Sequence, residues 1–246
     1  MKKYAAGSIL SVPSWVIPGT YAENLGFLET KKEVEGVELL FYIYNDVTKK
    51  ELESEWETIK SYSERFVFTA HLPEKELPFC RDLAARLTPL VKHFIVHPPK
   101  ENPGEQAQIL ADWKKQFNAV FLAENTNNGL LETFLPHVNG DHVNGRAEPV
   151  TGICMDTGHL LLEGKSPAEF YKKYRGRISE IHLHTIDREK AAADGRLPDH
   201  RRLQQGQPWL TELLPLLDDY RGVINLEVFS WEEAAAGIEI IGDTRH

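Results

Sequence analysis

The chain has 246 residues, of which 41% are hydrophobic, 10% aromatic and 26% charged, a composition that excludes disordered, collagen-like and low-complexity architectures. Its 28 Lys plus Arg against 37 Asp plus Glu leave a formal charge of −9, which argues against bulk nucleic-acid binding but not against a small phosphorylated ligand. Cys80 and Cys154 are too few for a disulfide scaffold, no apolar run approaches the roughly 20 residues of a membrane span, and Ser8, Ser11, Pro13 and Ser14 interrupt any signal-peptide core, so a cytoplasmic protein with no membrane partner is expected.

Strand-length apolar runs alternate with amphipathic stretches along the whole sequence. Runs at residues 4–10 and 37–43 come first. Thr48 and Glu51 then spell a capping box ahead of Leu52, Trp56 and Ile59, which share one helical face. A third run, 66–72, precedes the stripe Cys80, Leu83, Ala84 and Leu87, and a fourth, 93–97, precedes Ile109, Leu110, Trp113 and Phe117. After runs at 119–123 and 152–155, Ser166, Pro167 and Glu169 repeat the box with proline at the first helical position. The run 178–184 is followed by Leu210, Leu213, Leu214 and Leu217, a helical stripe that Pro215 should split, and 223–229 is the last.

Connections this long exclude hairpins and imply a parallel sheet. Spreading 246 residues over eight units leaves about 31 for each, the size of a βα repeat. The expected fold is therefore an α/β single domain spanning 1–246, a (β/α)8 TIM barrel, with a doubly wound open sheet as the alternative. The tetrapeptide His-Val-Asn-Gly occurs twice, at 137–140 and 142–145, and reads as polar loop.

A parallel barrel builds its active site where the strands end. Those ends carry His71, His97, Glu124 with Asn125, Asp156-Thr157-Gly158-His159, His182-Leu183-His184 with Asp199-His200 in the loop beyond, and Glu227. A lone histidine at a strand end is commonly structural. Burying the whole set together without a cation would cost many kcal/mol, and imidazoles with carboxylates and no thiolates suit Zn²⁺, Mn²⁺ or Fe²⁺. Trp15, Tyr42, Tyr44, Phe229 and Trp231 fall near the same rim and are candidates to stack on substrate or to pack the barrel. Arg175, Arg177, Arg188, Lys190, Arg196, Arg201 and Arg202 form a basic cluster whose later members could hold phosphate or simply be solvated.

The order of these motifs resembles the xylose-isomerase-like barrels, the superfamily of endonuclease IV (AP endonuclease family 2) and of many sugar isomerases and epimerases. Asp156-Thr157-Gly158-His159 resembles that group's Asp-Thr-x-His element, Ala123-Glu124-Asn125 its strand-five motif, Ile181-His182-Leu183 its strand-seven histidine and Leu226-Glu227 its last strand. The resemblance implies one divalent metal on Glu124, Asp156, His182 and Glu227. It also implies, on the endonuclease pattern, further zinc ligands at His71, His97, His159 and His200, for two or three ions in all. The pattern's Asp-x-His reads Asp199-His200 here, displacing the Asp, and His184 has no counterpart: it is a ligand, a phosphate contact or a donor to a ligand.

Residues 36–41 (Gly-Val-Glu-Leu-Leu-Phe), the 14–18 segment, Thr69-Ala70-His71-Leu72-Pro73 and the His182/His184 pair are similar to the cobamide-remodelling phosphodiesterases of the superfamily. They imply hydrolysis of the phosphoester in the cobamide nucleotide loop, with Glu124, Glu227 and His184 as catalytic residues. A mononuclear isomerase or epimerase is the nearest alternative, using Glu124 or Glu227 to move a proton. An abasic-site nuclease is disfavoured by the charge, and a binding protein without chemistry by the full set of ligand types. Neither a Gly-x-Ser-x-Gly nor a Walker A motif is present.

Overall fold

The computed structural model describes residues 7–74, 77–138, 150–187 and 198–243. Its strands are β1 Ile9–Pro13, β2 Gly36–Leu40, β3 Val67–His71, β4 Val91–Val96, β5 Val120–Glu124, β6 Gly152–Asp156, β7 Ile178–His182 and β8 Val223–Asn225. They pair in parallel in chain order, and β8 returns to β1 to close the barrel. The expected (β/α)8 TIM barrel is thus the observed fold.

The first strand lies later than the apolar run predicted: residues 4–6 are outside the described region, and Ser11 and Pro13 belong to β1. Ser11 is fully buried, so a polar residue that interrupts an apolar run is here part of the barrel wall. β7 stops at His182 and β8 at Asn225, short of the expected 184 and 229. His184 N–H leaves the sheet pattern to donate to Thr157 Oγ1.

Helices follow every strand: α1 Tyr21–Leu28, α2 Asp46–Ser61, α3 Leu77–Leu87, α4 Pro103–Phe117, α5 Leu130–Val138, α6 Thr157–Leu162, α7 Pro167–Tyr174, α8 Pro208–Leu213 and α9 Trp231–Asp243. The stripe Cys80, Leu83, Ala84 and Leu87 of α3 is buried as expected. Ser166 caps α7 ahead of Pro167, and at Pro215 α8 gives way to a 3-10 turn, Leu214–Leu217. The cap of α2 differs from expectation. Asn45 is the N-cap, and Thr48 closes the box as its third residue, because Asn45 Oδ1 accepts from both Val47 and Thr48 N–H. No helix among the described residues is long and apolar enough to cross a membrane.

Barrel interiors are usually filled with branched apolar side chains. Here the interior apolar cluster is small: Ile95, Leu122 and Cys154. Hydrogen bonds between strands that are not neighbours run through the middle instead. Thr69 on β3 donates to Glu180 on β7 (2.9 Å), His93 on β4 meets the same carboxylate (3.3 Å), and His182 on β7 meets Glu38 on β2 (2.8 Å). A polar layer therefore supports the C-terminal rim from below.

Candidate metal centre

The strand-five and strand-six motifs form one rigid unit. Asn125 clasps the end of β6 at two points: its Nδ2 donates to Asp156 O and its Oδ1 accepts Asp156 N–H, both at 2.8 Å. Asp156 caps α6 by accepting His159 N–H on Oδ1 (2.7 Å), which leaves Oδ2 facing the barrel axis. Thr157 Oγ1 accepts His184 N–H at 3.0 Å and lies 2.6 Å from His184 O, joining the end of β6 to the chain after β7. Gly158 is small because His184 lies on it: a Cβ there would sit 2.0 Å from the ring's Cε1. Gly158→Ala is expected to push the imidazole off Asp156 and to destabilise the protein by about 1–3 kcal/mol through overpacking. Thermal melting and divalent-ion titration of that variant check both effects.

The structure brings the expected rim residues together. His71 Nε2 and His97 Nε2 stand 3.3 and 2.7 Å from Glu124 Oε2, while His182 Nδ1 stands 3.0 Å from Glu124 Oε1 and 3.1 Å from Glu227 Oε2. Contrary to the expected set without thiolates, Cys154 Sγ lies within 4.8 Å of ligand atoms of Glu124 and His182, and the rim atoms form three further overlapping groups: His71, His97 and Glu124; Glu124, Asp156, His182 and Glu227; and His184, His200 and Glu227, all within 4.8 Å in each group. Glu124 is common to the first two and Glu227 to the last two. His159 lines the same pocket with its Nδ1 3.0 Å from Asn125 O, and among the described residues it is in none of these groups. Asp199 Oδ1 stands 3.9 Å from His200 Nε2, and among the described residues Asp199 is in none of these groups.

His184 has a definite geometry. His200 N–H donates to its Nδ1 at 3.0 Å, and its Nε2 lies 3.0 Å from Asp156 Oδ2. Nδ1 also lies 3.3 Å from Thr185 O and Nε2 3.6 Å from Glu227 Oε2, so His184 stands between the chain after β7 and two of the rim carboxylates. His200 stacks on His184 with ring centroids 4.5 Å apart, and it adopts a left-handed backbone, φ 49°, a conformation that non-glycine residues keep only where surroundings enforce it.

Sequence reasoning misses Glu38, Glu180 and His93, which lie beneath the rim, and treats Tyr42 only as a ring to stack or pack, whereas it donates its hydroxyl to Glu227 Oε1 at 2.5 Å. Burial and the Glu227 charge hold the Tyr42 phenol well above its ordinary range, keeping it a donor. The signal available was Glu38 itself, a carboxylate inside an apolar strand that must find a partner when buried.

Charge explains how the acids tolerate burial. Burial opposes the charged form of Glu124, but the charge of His97 and hydrogen bonds from His182, His71 and His97 hold its carboxyl well below the usual range. Burial likewise opposes ionisation of Glu227 and is outweighed by His182 and His200. For His71, burial works against the imidazolium, yet the hydrogen bond and charge of Glu124 lift it to about 9; His159 reaches about 9 through the charge of Asp156. Even so, Glu227 Oε2 and His200 Nδ1 are buried without a hydrogen bond while facing each other at 3.6 Å. Orphaned donors of this kind in a set of imidazoles and carboxylates fit a divalent cation.

The sign of the pH dependence follows. A histidine raised from about 6.5 to about 9 on folding stabilises fully below the lower value and loses that contribution as pH climbs through the upper one. Protein stripped with chelator is therefore expected to lose stability between about pH 6.5 and 9. Metal-loaded protein, whose ligating imidazoles, His71 among them, have already given up their protons, should lose less stability over that window than stripped protein.

No family model and no curated protein matches the sequence. Solved structures do match, over nearly the whole chain. The probable 3-DHS dehydratase AsbF of Bacillus anthracis is 15% identical, with a TM-score of 0.68, covering 97% of this chain and 99% of that one. The 3-keto-D-glucoside 4-epimerase YcjR of E. coli is 13% identical (TM-score 0.62; 97% and 99% covered). The IolI protein with a bound zinc atom is 15% identical (TM-score 0.64; 96% and 94% covered), and a xylose isomerase domain protein of Planctomyces limnophilus is 12% identical, with a TM-score of 0.61 and coverage of 98% and 95%. The fold is that of the xylose-isomerase-like barrels.

In this barrel the rim encloses a pocket of about 360 Å³, walled by Trp15, Tyr42, Glu74, His97, His200 and Phe229, with Glu124, Asp156, His159 and Glu227 among its lining residues. Tyr44 and Trp231 do not line it. They pack on Phe41 and Phe27 instead. Arg175 pairs with Asp219, and Arg177 donates to Thr151 O beneath β6, so neither serves the rim, while Arg188, Lys190 and Arg196 lie outside the described residues. Arg201 and Arg202 line a neighbouring cleft of about 800 Å³ with Thr185, Gln207 and Trp209. Thr185 and Arg201 are bridge partners. Both line this cleft, whereas His200 lines the pocket that holds Glu124, Asp156 and Glu227.

Proposed function

We propose that this protein is a metal-dependent phosphodiesterase acting on a small phosphodiester, with the nucleotide loop of a cobamide as its substrate. The observation that carries the reading is the adjoining of two cation groups on one carboxylate: Glu124 belongs both to the His71–His97 group and to the Asp156–His182–Glu227 group. A reaction at a single carbonyl has no use for the first. Divalent cations in these groups, zinc being the best suited to the imidazole-rich set, would supply charge to the phosphate oxygens and acidify water.

The chain's own residues then have definite tasks. Glu124 and Glu227 fix the imidazoles around them, and Tyr42 holds Glu227 in place. His159, on the pocket wall, presents its imidazole to an incoming anion. Trp15 and Phe229 offer rings at the mouth. Water adds to phosphorus, the bond to one ester oxygen breaks, and that oxygen leaves with a proton as an alcohol, giving a phosphomonoester. A volume of about 360 Å³ admits the phosphodiester and a flanking group, so a large corrinoid would enter by its loop alone. The formal charge of −9 disfavours long DNA as the substrate.

A second reading draws on the comparisons, whose named activities are a dehydratase and an epimerase. In a sugar isomerase or epimerase the group Glu124, Asp156, His182 and Glu227 would suffice, and Glu124 or Glu227 would move the proton next to a carbonyl. Turnover assays on metal-loaded protein separate the two. Release of nitrophenol from bis-p-nitrophenyl phosphate and of cobinamide from adenosylcobalamin is expected. Interconversion of ketoses with no phosphodiester cleavage would establish the second reading.

A further inference from the structure

Strands β3 to β8 and the loops beyond them supply every member of the rim groups built on Glu124 and Glu227. β2 supplies none, yet it carries a carboxylate, Glu38, that is 0% exposed. A buried carboxylate costs several kcal/mol unless paired. Glu38 commits Oε2 to one contact, His182 Nε2 at 2.8 Å.

His182 is equally buried, and its two nitrogens face opposite ways. Nδ1 looks up at Glu124 Oε1 (3.0 Å) and Glu227 Oε2 (3.1 Å), with Asp156 Oδ2 at 4.0 Å, while Nε2 looks down at Glu38. A neutral imidazole has a single N–H. With that hydrogen on Nε2, the Nδ1 lone pair faces the rim carboxylates. With it on Nδ1, the ring would donate to Glu124 and Glu227 and offer a cation at the rim nothing. Two other imidazoles of the rim are fixed by main chain: His71 Nδ1 stands 3.0 Å from Leu72 O, and His159 Nδ1 3.0 Å from Asn125 O. His182 alone among these three uses a side chain.

We propose that Glu38 is the positioning residue of the metal centre, taking the Nε2–H of His182 so that Nδ1 is presented to the cation held by Glu124, Asp156 and Glu227. This rests on the reading of the rim as a cation site. Glu38 is itself held in a crowded polar layer: it is register partner of Thr69, whose hydroxyl donates to Glu180, and Glu180 stands beside the same imidazole. The carboxylate–imidazole–cation arrangement fixes both ring orientation and tautomer.

The test uses full-length protein. Long-range ¹H–¹⁵N spectra of the zinc-loaded wild type should show His182 protonated on Nε2 and ligating through Nδ1. Ligation through Nε2, or a proton on Nδ1, would overturn the proposal even if no variant folds. Co²⁺ titration of Glu38→Ala should show affinity at the Glu124–Asp156–His182–Glu227 group falling about 10- to 100-fold, with a changed visible spectrum and with the His71–His97 group retained. Glu38→Gln, whose amide oxygen can still accept the Nε2–H, should lose less than Glu38→Ala. Wild-type affinity and spectrum in both variants would remove Glu38 from the centre while leaving the centre intact. Absence of Zn²⁺ and Co²⁺ binding by the wild type would instead remove the cation reading and the proposal with it.

Discussion

Glu124→Ala is expected to strip the protein of bound divalent ion and of turnover together. His71, His97 and His182 all lie within 3.3 Å of this one carboxylate, and it is 1% exposed. Removing one partner of a buried charged set leaves the others uncompensated, at a cost of about 3–5 kcal/mol. Chelator-treated Glu124→Ala should therefore melt well below chelator-treated wild type at pH 7, where His71, raised to about 9 by Glu124, would lose its counter-charge. Glu124→Gln keeps the volume and should lose the ion but less of the stability. Denaturant titrations beside elemental analysis measure both quantities. An alanine variant that keeps its full metal content would contradict the assignment of Glu124 as the shared ligand.

The second large effect separates the two chemistries. His97→Ala removes a member of the His71–His97–Glu124 group and leaves Glu124, Asp156, His182 and Glu227 in place. His97 is 22% exposed at its side chain, so the fold should survive. Partners that merely orient a ligand are worth about 10- to 100-fold in activity, so loss of a direct ligand should cost phosphodiester turnover more than about 100-fold, with kcat falling rather than KM rising. An isomerase running on the four-ligand group would lose little. His159→Ala serves as the comparison: this side chain lines the pocket outside the cation groups, so its loss should raise KM for an anionic substrate and leave metal content unchanged.

The rim was legible in the sequence because four of the strands end on a titratable residue that an apolar run cannot explain. His71, Glu124, Asp156 and His182 are the last residues of β3, β5, β6 and β7, and the closed topology turns that one-dimensional regularity into a ring. The layer beneath was harder to read. Strands buried on both faces do not alternate in polarity, so nothing in Gly36–Leu40 marks which face Glu38 occupies, and its partner His182 is 144 positions away. Strand limits failed for a related reason. Ser11 and Asn225 are fully buried and pair in register, yet each looks like the end of an apolar run. His159 and Asp199 depend on loop geometry, which spacing does not encode; the Asp156 cap that sets the start of α6 turns His159 toward Asn125. The repeated His-Val-Asn-Gly lies mostly outside the described residues.

The adjoining of cation groups on Glu124 is tested most directly by counting ions and locating them. Protein dialysed against excess zinc and then against buffer should retain at least two equivalents per chain. Anomalous scattering from crystals of that material should place one ion against His71, His97 and Glu124 and another against Glu124, Asp156, His182 and Glu227. A single equivalent, seated on the four-ligand group with His71 and His97 bare, would contradict the account.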